Sequence, residues 1–194
     1  LSEESVALVN QKYHDLKHQI AILRTTATEE EKTAYLDQME KEIKCYEAQN
    51  KTGNRILDTI LTAKTIQCQN HGISLTCVAD GKELDFLQPM DISALFGNAL
   101  DNAIESVKKI DDPQKRLIHV SVSRQKNFLR IKVENCYEGK LEFENGMPKT
   151  TKQDKRFHGY GMKSIRKIVE KYNGSVTVNA KDGWFELRIL MVIG

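Results

Sequence analysis

The sequence predicts an α+β protein in which a helical hairpin precedes an α/β sandwich domain. Apolar residues follow heptad spacing through the first third of the chain, and strand patterns alternate with amphipathic helices after it. A polar hinge at Gln69-Asn70-His71-Gly72 separates the two patterns. We therefore expect a hairpin domain over residues 1–69 and a sandwich domain over residues 70–194.

The hairpin is predicted from two helices that each carry one apolar stripe. In the first, the stripe is formed by Val6, Val9, Tyr13, Leu16, Ile20 and Leu23. The second is expected to begin at the acids Glu29-Glu30-Glu31 and to run to about Gln69, its stripe turning polar at Asn50 and Gly53. An isolated hairpin cannot cover both stripes, so two copies forming a four-helix bundle, a homodimer, are the natural solution. The open alternative is a hairpin that folds back on its own second domain.

The elements of the second domain follow from changes of hydrophobic period and from turn residues. We predict strands over Ile73–Val78, Leu117–Ser123, Phe128–Glu134, Ser175–Ala180 and Trp184–Val192. We predict helices from a cap at Asp91 or Ser93 to about Lys109, and from Gly161 to Tyr172. The basic stretch between Cys136 and His158 is too long for a simple connection and favours a lid.

The most informative segment runs from Leu95 to Glu105, where Asn98 and Asn102 fall on one face of an otherwise apolar helix. A neutral amide supplies an oxygen for a hard cation and N–H donors for phosphate oxygens. Further along, Gly159 and Gly161 precede a periodic helix, where backbone N–H groups can approach phosphate closely. Each motif alone is common in structural roles, whereas their order and helical setting favour a metal-nucleotide site.

That order resembles the ATP-binding domain of the GHKL family, which contains gyrase, MutL and the histidine kinases, over about residues 70–194. The run from Thr150 to Gly174 and the later Asp182-Gly183-Trp184-Phe185 resemble the peptide-sensing, quorum-sensing histidine kinases. The resemblance implies an α/β sandwich of the Bergerat type that binds ATP with Mg²⁺.

The resemblance also implies roles for individual residues. Asn102 would ligate Mg²⁺, Asn98 would bind phosphate or a metal-bound water, and Gly159 and Gly161 would bring backbone to the phosphates. The remaining nucleotide contacts implied by the resemblance are Asn135, Thr151, Lys152, His158 and Met162. Of these, Thr151 and Lys152 would be lid contacts to the β- and γ-phosphates.

A phosphoacceptor histidine is implied upstream, and Tyr13-His14-Asp15-Leu16 resembles the phosphorylation box of the same subgroup. His14 lies one residue off the apolar seam, so the bundle would hold it yet leave it open to a docking domain. A carboxylate at Asp15 can fix the imidazole tautomer, and we assign it the orienting and general-base role. The resemblance implies attack through the far ring nitrogen. His18, one turn on, is the alternative acceptor.

Several positions depart from the family pattern. The Asp-x-Gly-x-Gly box that contacts adenine is absent, and Asn135 stands where its Asp would fall, which puts base selectivity in question. Glu105 occupies a position that is Lys in many kinases, and Met162 replaces Leu at similar volume. Asn98 stands where gyrase-type ATPases carry a water-activating Glu, and an amide cannot act as a base at neutral pH. A simple ATPase is therefore disfavoured.

Composition is compatible with these expectations. The net charge of +2 comes from lysines scattered among glutamates, so nucleic-acid binding is not expected. The four cysteines have no paired metal-ligand spacing and are expected to be reduced thiols of a cytosolic protein. No apolar run approaches the ~18 to 20 residues of a membrane span. Because the chain begins inside a helical pattern, we expect it to be part of a longer protein. The resemblance implies that it is the cytoplasmic portion of a membrane protein whose N-terminal sensor region is missing.

The sequence thus predicts a sensor histidine kinase core. It would autophosphorylate His14 and pass the phosphoryl group to an aspartate in the receiver domain of a response regulator. Two alternatives stay open: an ATP-driven conformational clamp of the same family, and a non-catalytic dimeric scaffold, or pseudokinase.

Overall fold

The computed structural model describes residues 28–37, 51–141, 143–144, 146–148 and 158–193. The chain divides into two compact units, Leu1–Cys45 and Tyr46–Gly194. In the first unit a helix, α1, covers residues 29–37. Thr28 and Glu31 cap it reciprocally: the Glu31 backbone N–H donates to Thr28 Oγ1 at 3.2 Å, and the Thr28 N–H donates to the Glu31 carboxylate at 2.8 Å. The predicted start of the second helix is confirmed, while residues 1–27 and 38–50 of the predicted hairpin lie outside the described residues.

The second unit contains a helix, α2, over Arg55–Gln69 that the sequence predicts as the end of the hairpin. Gly53, at φ 94°, lies just before this helix. Asn54 is the N-cap residue, and its Oδ1 accepts from the Leu57 N–H at 3.1 Å. Its buried residues are Leu57, Leu61 and Cys68. Because these residues belong to the core of the second unit, α2 is part of the unit Tyr46–Gly194.

Five strands form the main sheet of the second unit. They are β1 Ser74–Ala79, β2 Leu117–Gln125, β3 Phe128–Cys136, β6 Ser175–Lys181 and β7 Trp184–Val192. Their order is β1-β2-β3-β7-β6, with β1 parallel to β2 and the other pairs antiparallel. Two short strands, β4 Phe143–Glu144 and β5 Met147–Pro148, pair with each other in the stretch predicted as a lid. All five strands predicted from the sequence are confirmed.

Two further helices complete the unit: α3 over Pro89–Lys108 and α4 over His158–Lys171. Together with α2 they pack on one face of the sheet. The alternating inward residues of the three central strands form the core there: Ile118, Val120, Val122, Leu129, Ile131, Val133, Leu187, Ile189 and Met191. The predicted layer of helices on one sheet, an α/β sandwich, is confirmed.

The opposite face of the sheet is polar. Lys132 lies 3.1 Å from Glu134 and 3.7 Å from Glu186, and Arg188 lies 2.7 Å from Glu186. Of these pairs, Lys132–Glu186 joins β3 to β7, and charged groups of this kind are typical of the solvent-facing side of a mainly antiparallel sheet. Within the described ranges, no helix is both long and apolar enough to cross a bilayer.

The start of α3 is tied to the end of α4 by a polar cluster. The Tyr172 hydroxyl donates to Asp91 Oδ2 at 2.5 Å and accepts from the Gln88 backbone N–H at 3.0 Å. Lys171 Nζ donates to the same Asp91 oxygen at 2.7 Å and to Gln88 Oε1 at 3.1 Å. Gln88 is the N-cap residue of α3 and makes no side-chain cap bond. The expected cap at Asp91 or Ser93 is wrong, because Asp91 lies inside the first turn and is turned toward α4.

This cluster predicts an acid-dependent loss of stability. The hydrogen bonds from Lys171 and then Tyr172 lower the pKa of Asp91 below its usual 3.8. Asp91 therefore contributes stability above that usual value, and the contribution is lost as pH falls through the depressed folded pKa. We expect Asp91→Asn to lower the unfolding free energy by about 1 kcal/mol at pH 7 and by progressively less toward pH 2. Urea unfolding of both proteins across a pH series checks this, and a difference that stays constant with pH contradicts it.

Candidate functional site

The asparagine helix and the glycine motif face each other in the structure. A Cβ built on Gly161 of α4 would lie 3.4 Å from Asn98 Oδ1, 3.5 Å from Asn102 Oδ1 and 3.6 Å from Asn102 Nδ2, both amides being on α3. Gly161 is buried and the two asparagines are half-buried. Two motifs that are distant in sequence therefore meet at one interhelical seam, with amide oxygens turned toward a residue that has no side chain.

The orientation of Asn98 is held by its own helix. Its Nδ2 donates to the Ala94 carbonyl one turn earlier, at 2.7 Å. The amide oxygen then points away from Ala94, and it is the atom that lies nearest to a Cβ built on Gly161. Asn98 is thus prepared to accept a hydrogen bond at the seam. Leu95, Ala99 and Ala103 of the same helix are buried and anchor α3 in the core.

Helix α4 begins at His158, three residues earlier than predicted. Gly159 and Gly161 therefore lie in its first turn and not ahead of the helix. The expectation fails because glycine is a weak helix former, so a pattern-based boundary excludes it. Backbone N–H groups in a first turn have no acceptor within the helix, and with the helix dipole they favour an anion. Met162, the next residue, packs partly buried against the core.

Asn135 is buried at the end of β3, with 2% of its surface exposed. Its Nδ2 donates to the Cys136 carbonyl at 2.8 Å, and it lies on the helix-covered face in the same row as Val133. Helix α3 packs across β3, so this amide and the asparagine pair belong to the same side of the sheet. A buried amide at the end of a core strand is unusual without a ligand or structural partner.

An ion pair that sequence reasoning missed joins α2 to the asparagine helix. Lys64 Nζ lies 2.5 Å from Asp101 Oδ1, and Asp101 precedes Asn102. No local signal could reveal it, because the two residues meet only through tertiary packing. His14, Asp15, Thr151 and Lys152 lie outside the described residues, as do the side-chain surroundings of His158.

The site chemistry is that of amide oxygens. In the part of the chain that the structure describes, no group of three or more His, Cys, Asp or Glu residues is placed to hold a metal ion. The amide oxygens of Asn98 and Asn102 fit Mg²⁺, which prefers oxygen ligands and retains waters when few protein ligands are present. Two neutral oxygens are compatible with an ion held mainly by water and by an anionic ligand.

The thiols do not supply a nucleophile here. Cys68, Cys77 and Cys136 are free, as predicted for reduced cysteines. Burial raises the pKa of both Cys68 and Cys77 to about 11 and also raises that of Cys136. These thiols are thus protonated at neutral pH and poorly nucleophilic.

Comparisons with known proteins find a family model, a relative and solved structures that are similar to this chain. Residues 87–192 match the family model described as GHKL domain. The probable C4-dicarboxylate sensor kinase of Halalkalibacterium halodurans is 23% identical over 189 residues, which cover 92% of this chain and 35% of that protein. The chain thus spans about a third of the length of this curated relative.

Similar solved structures include two nucleotide-free forms of the catalytic domain of histidine kinase ThkA. They match with TM-scores of 0.54 and 0.55 at 15% and 16% identity. Each match covers 71% of this chain, and 90% and 91% of the respective ThkA chains. At this identity the likeness supports a shared fold.

Proposed function

The chain belongs to the GHKL domain family, and from this premise we propose that it is the cytoplasmic core of a sensor histidine kinase. The observation that supports this most strongly is the seam at which the Asn98 and Asn102 oxygens face Gly161. The similarity to a named sensor kinase supports the same function. The run from Thr150 to Gly174 further favours the peptide-sensing, quorum-sensing subgroup.

The nucleotide-binding roles divide by chemistry. Asn102 would hold Mg²⁺ through its amide oxygen, and Asn98, whose Oδ1 lies nearest to Gly161, would bind phosphate or a metal-bound water. The metal ion, when bound, offsets negative charge on the phosphates. N–H groups of the first turn of α4, which includes Gly159 and Gly161, bind phosphate oxygens. The further contacts that we propose are Asn135 to adenine, His158 and Met162 beside the nucleotide, and Thr151 and Lys152 in the lid.

We further propose that ATP is the phosphoryl donor and His14 the acceptor. An imidazole nitrogen of His14 attacks the γ-phosphorus, the bond from that phosphorus to the β,γ-bridging oxygen breaks, and ADP leaves with the electron pair. Asp15 accepts a hydrogen bond from the other ring nitrogen, holds the tautomer and, as general base, takes the proton that this nitrogen releases. Asn98 cannot act as a general base at neutral pH, so water is poorly activated at this position. A homodimeric bundle presents His14, and the phosphohistidine then transfers its phosphoryl group to a response-regulator aspartate.

Incubation with γ-labelled ATP and Mg²⁺ tests this function against its alternatives. A kinase acquires acid-labile label on the protein, since phosphohistidine hydrolyses in acid. An ATP-driven conformational clamp releases free phosphate and leaves the protein unlabelled. A scaffold shows neither signal, and its thermal unfolding does not respond to nucleotide. Either of the last two results rejects the kinase proposal.

Gly161→Ala is expected to change stability and nucleotide binding in opposite directions. The new methyl would lie 3.4–3.6 Å from the amide atoms, in ordinary contact, so the packing can accept it. Alanine is favoured over glycine in a helix by about 1 kcal/mol, so the unfolding free energy should be unchanged or higher by up to about that amount. The same methyl covers the amide oxygens, and we expect Mg-ATP affinity to fall at least tenfold, which is about 1.4 kcal/mol.

Gly97→Ala is the matched control. Gly97 is also a helical glycine, lies beside Asn98 on α3, and has nothing within 4 Å of a built Cβ. It should gain comparable stability and retain wild-type affinity. Calorimetric titration with Mg-ATP and urea unfolding measure both quantities. If Gly161→Ala and the wild type bind Mg-ATP with equal affinity, the seam is not part of the nucleotide site.

A further inference from the structure

Helices α3 and α4 touch at two kinds of contact at opposite ends of one seam. At one end, Gly161 lies against the asparagine pair. At the other, the Tyr172 hydroxyl and Lys171 ammonium both reach the Asp91 carboxylate, at 2.5 Å and 2.7 Å. The first contact involves a residue without a side chain, whereas the second is a dense hydrogen-bonded ion pair.

The spacing places both contacts on the same faces of the two helices. Asn102 follows Asp91 by 11 positions, and Tyr172 follows Gly161 by 11 positions. Eleven residues make about three turns of α-helix and a rise of about 16 Å, so positions separated in this way lie nearly above one another. The equal spacing means that the polar cluster and the amide-glycine contact are opposite ends of one antiparallel seam.

The stretch between the two ends is apolar. Leu95 and Ala99 of α3 and Ile165 and Val169 of α4 are buried in the common core. Hydrophobic contacts stabilise such a seam but are non-directional and do not fix the relative position of two helices closely. Hydrogen bonds have short distances and preferred angles, so they fix the relative position of two helices more closely. The cluster is therefore the directional contact that sets how α4 lies along α3.

We propose that Asp91, Tyr172 and Lys171 are positioning residues that hold α3 and α4 at the spacing required for Mg-nucleotide binding, an inference that rests on the proposed function. They lie about three helical turns from the amide-glycine contact and act through the helix pair, without touching the nucleotide. When the cluster is lost, the competent spacing is populated only part of the time. Apparent affinity falls by that fraction, so a tenth of the population gives a dissociation constant about ten times higher.

A conservative substitution at Tyr172 tests the positioning role. Its ring packs edge-on against Phe86, with ring centroids 6.0 Å apart and planes at 85°. Tyr172→Phe keeps this packing and removes only the hydroxyl that bridges Gln88 and Asp91. Asp91→Asn is the second variant, which removes the charge from the acceptor. Both are expected to weaken Mg-ADP binding about tenfold.

Arg116→Leu is the matched control for a loss of stability alone. Arg116 donates from Nε to the Ile110 carbonyl at 2.8 Å and from Nη1 to the His71 carbonyl at 3.0 Å, away from the α3–α4 seam. This variant should lower the unfolding midpoint comparably while leaving Mg-ADP affinity within about twofold of wild type. In the double variant of Asp91 and Tyr172, the loss of affinity should not exceed that of either single change by much, since both remove one cluster.

The experiment is a calorimetric titration of Mg-ADP into the full chain of each variant, with hydrogen exchange of residues 95–106 and 158–166 measured without nucleotide. The proposal predicts weaker binding and faster exchange in these segments for Tyr172→Phe and Asp91→Asn, but not for Arg116→Leu. Wild-type affinity in both cluster variants overturns it, as does equal weakening in Arg116→Leu. If the wild-type protein itself does not bind Mg-ADP, the proposed function fails first, and this inference with it.

Discussion

His14→Gln is expected to abolish acid-labile labelling by γ-labelled ATP. Glutamine has a similar length and is uncharged, yet its amide nitrogen has no lone pair available to attack phosphorus. Removal of a nucleophile typically lowers the rate by at least ~10³-fold, so the label should fall to background. Autoradiography of the protein after alkaline and acid washes measures the effect.

His18→Gln is the control for this experiment. His18 follows His14 by four positions in the sequence and is the alternative acceptor, so its replacement should leave labelling near the wild-type level. Stabilisation by Mg-ATP should be unchanged in His14→Gln, since the family match that predicts nucleotide binding covers residues 87–192 only. Label that persists in His14→Gln and disappears in His18→Gln would transfer the acceptor role to His18.

Asn102→Ala is expected to remove the dependence of nucleotide affinity on Mg²⁺. The substitution deletes an amide oxygen that lies at the seam beside Gly161. Loss of a residue that supports a metal site commonly lowers metal affinity 10- to 100-fold, and we expect a fall of about that size for Mg-ATP. Metal-free ATP should bind the variant and the wild type with similar affinity. Titrations with Mg²⁺ and with a chelator compare the two states.

Asn179→Ala provides the control, because Asn179 is exposed on β6, an edge strand of the main sheet. Its affinity for Mg-ATP should equal that of wild type. Asn102→Ala with undiminished Mg²⁺ dependence would mean that another residue holds the metal.

The fold of the second unit was accessible from the sequence because its elements have clear periods. Buried and less buried residues alternate over the first seven positions of β2 and over all nine of β3, and the turn at Lys126-Asn127 lies between the strands. The boundary before α2 was not accessible, since its apolar stripe is compatible with either a bundle or the sandwich. Only the packing of Leu57 and Leu61 under α3 decides between them.

The sequence predicts which residue types form the candidate site but not how they are arranged in space. Asn98, Asn102 and Gly161 stand out by their chemistry, and the structure brings them to within 3.4–3.6 Å when a Cβ is built on Gly161. The neighbouring sequence does not show that the Asn98 amide donates to the Ala94 carbonyl or that the Tyr172 hydroxyl donates to Asp91. Both hydrogen bonds depend on backbone position and helix packing.

The most direct test of a nucleotide held between the amide pair and the first turn of α4 is an NMR titration of isotope-labelled protein with Mg-ADP. The account predicts saturable shifts, with one common dissociation constant, at the side-chain amides of Asn98 and Asn102 and the backbone amides of Gly159 and Gly161. Saturation that leaves these signals in place while others move, or an absence of any shift, would contradict it.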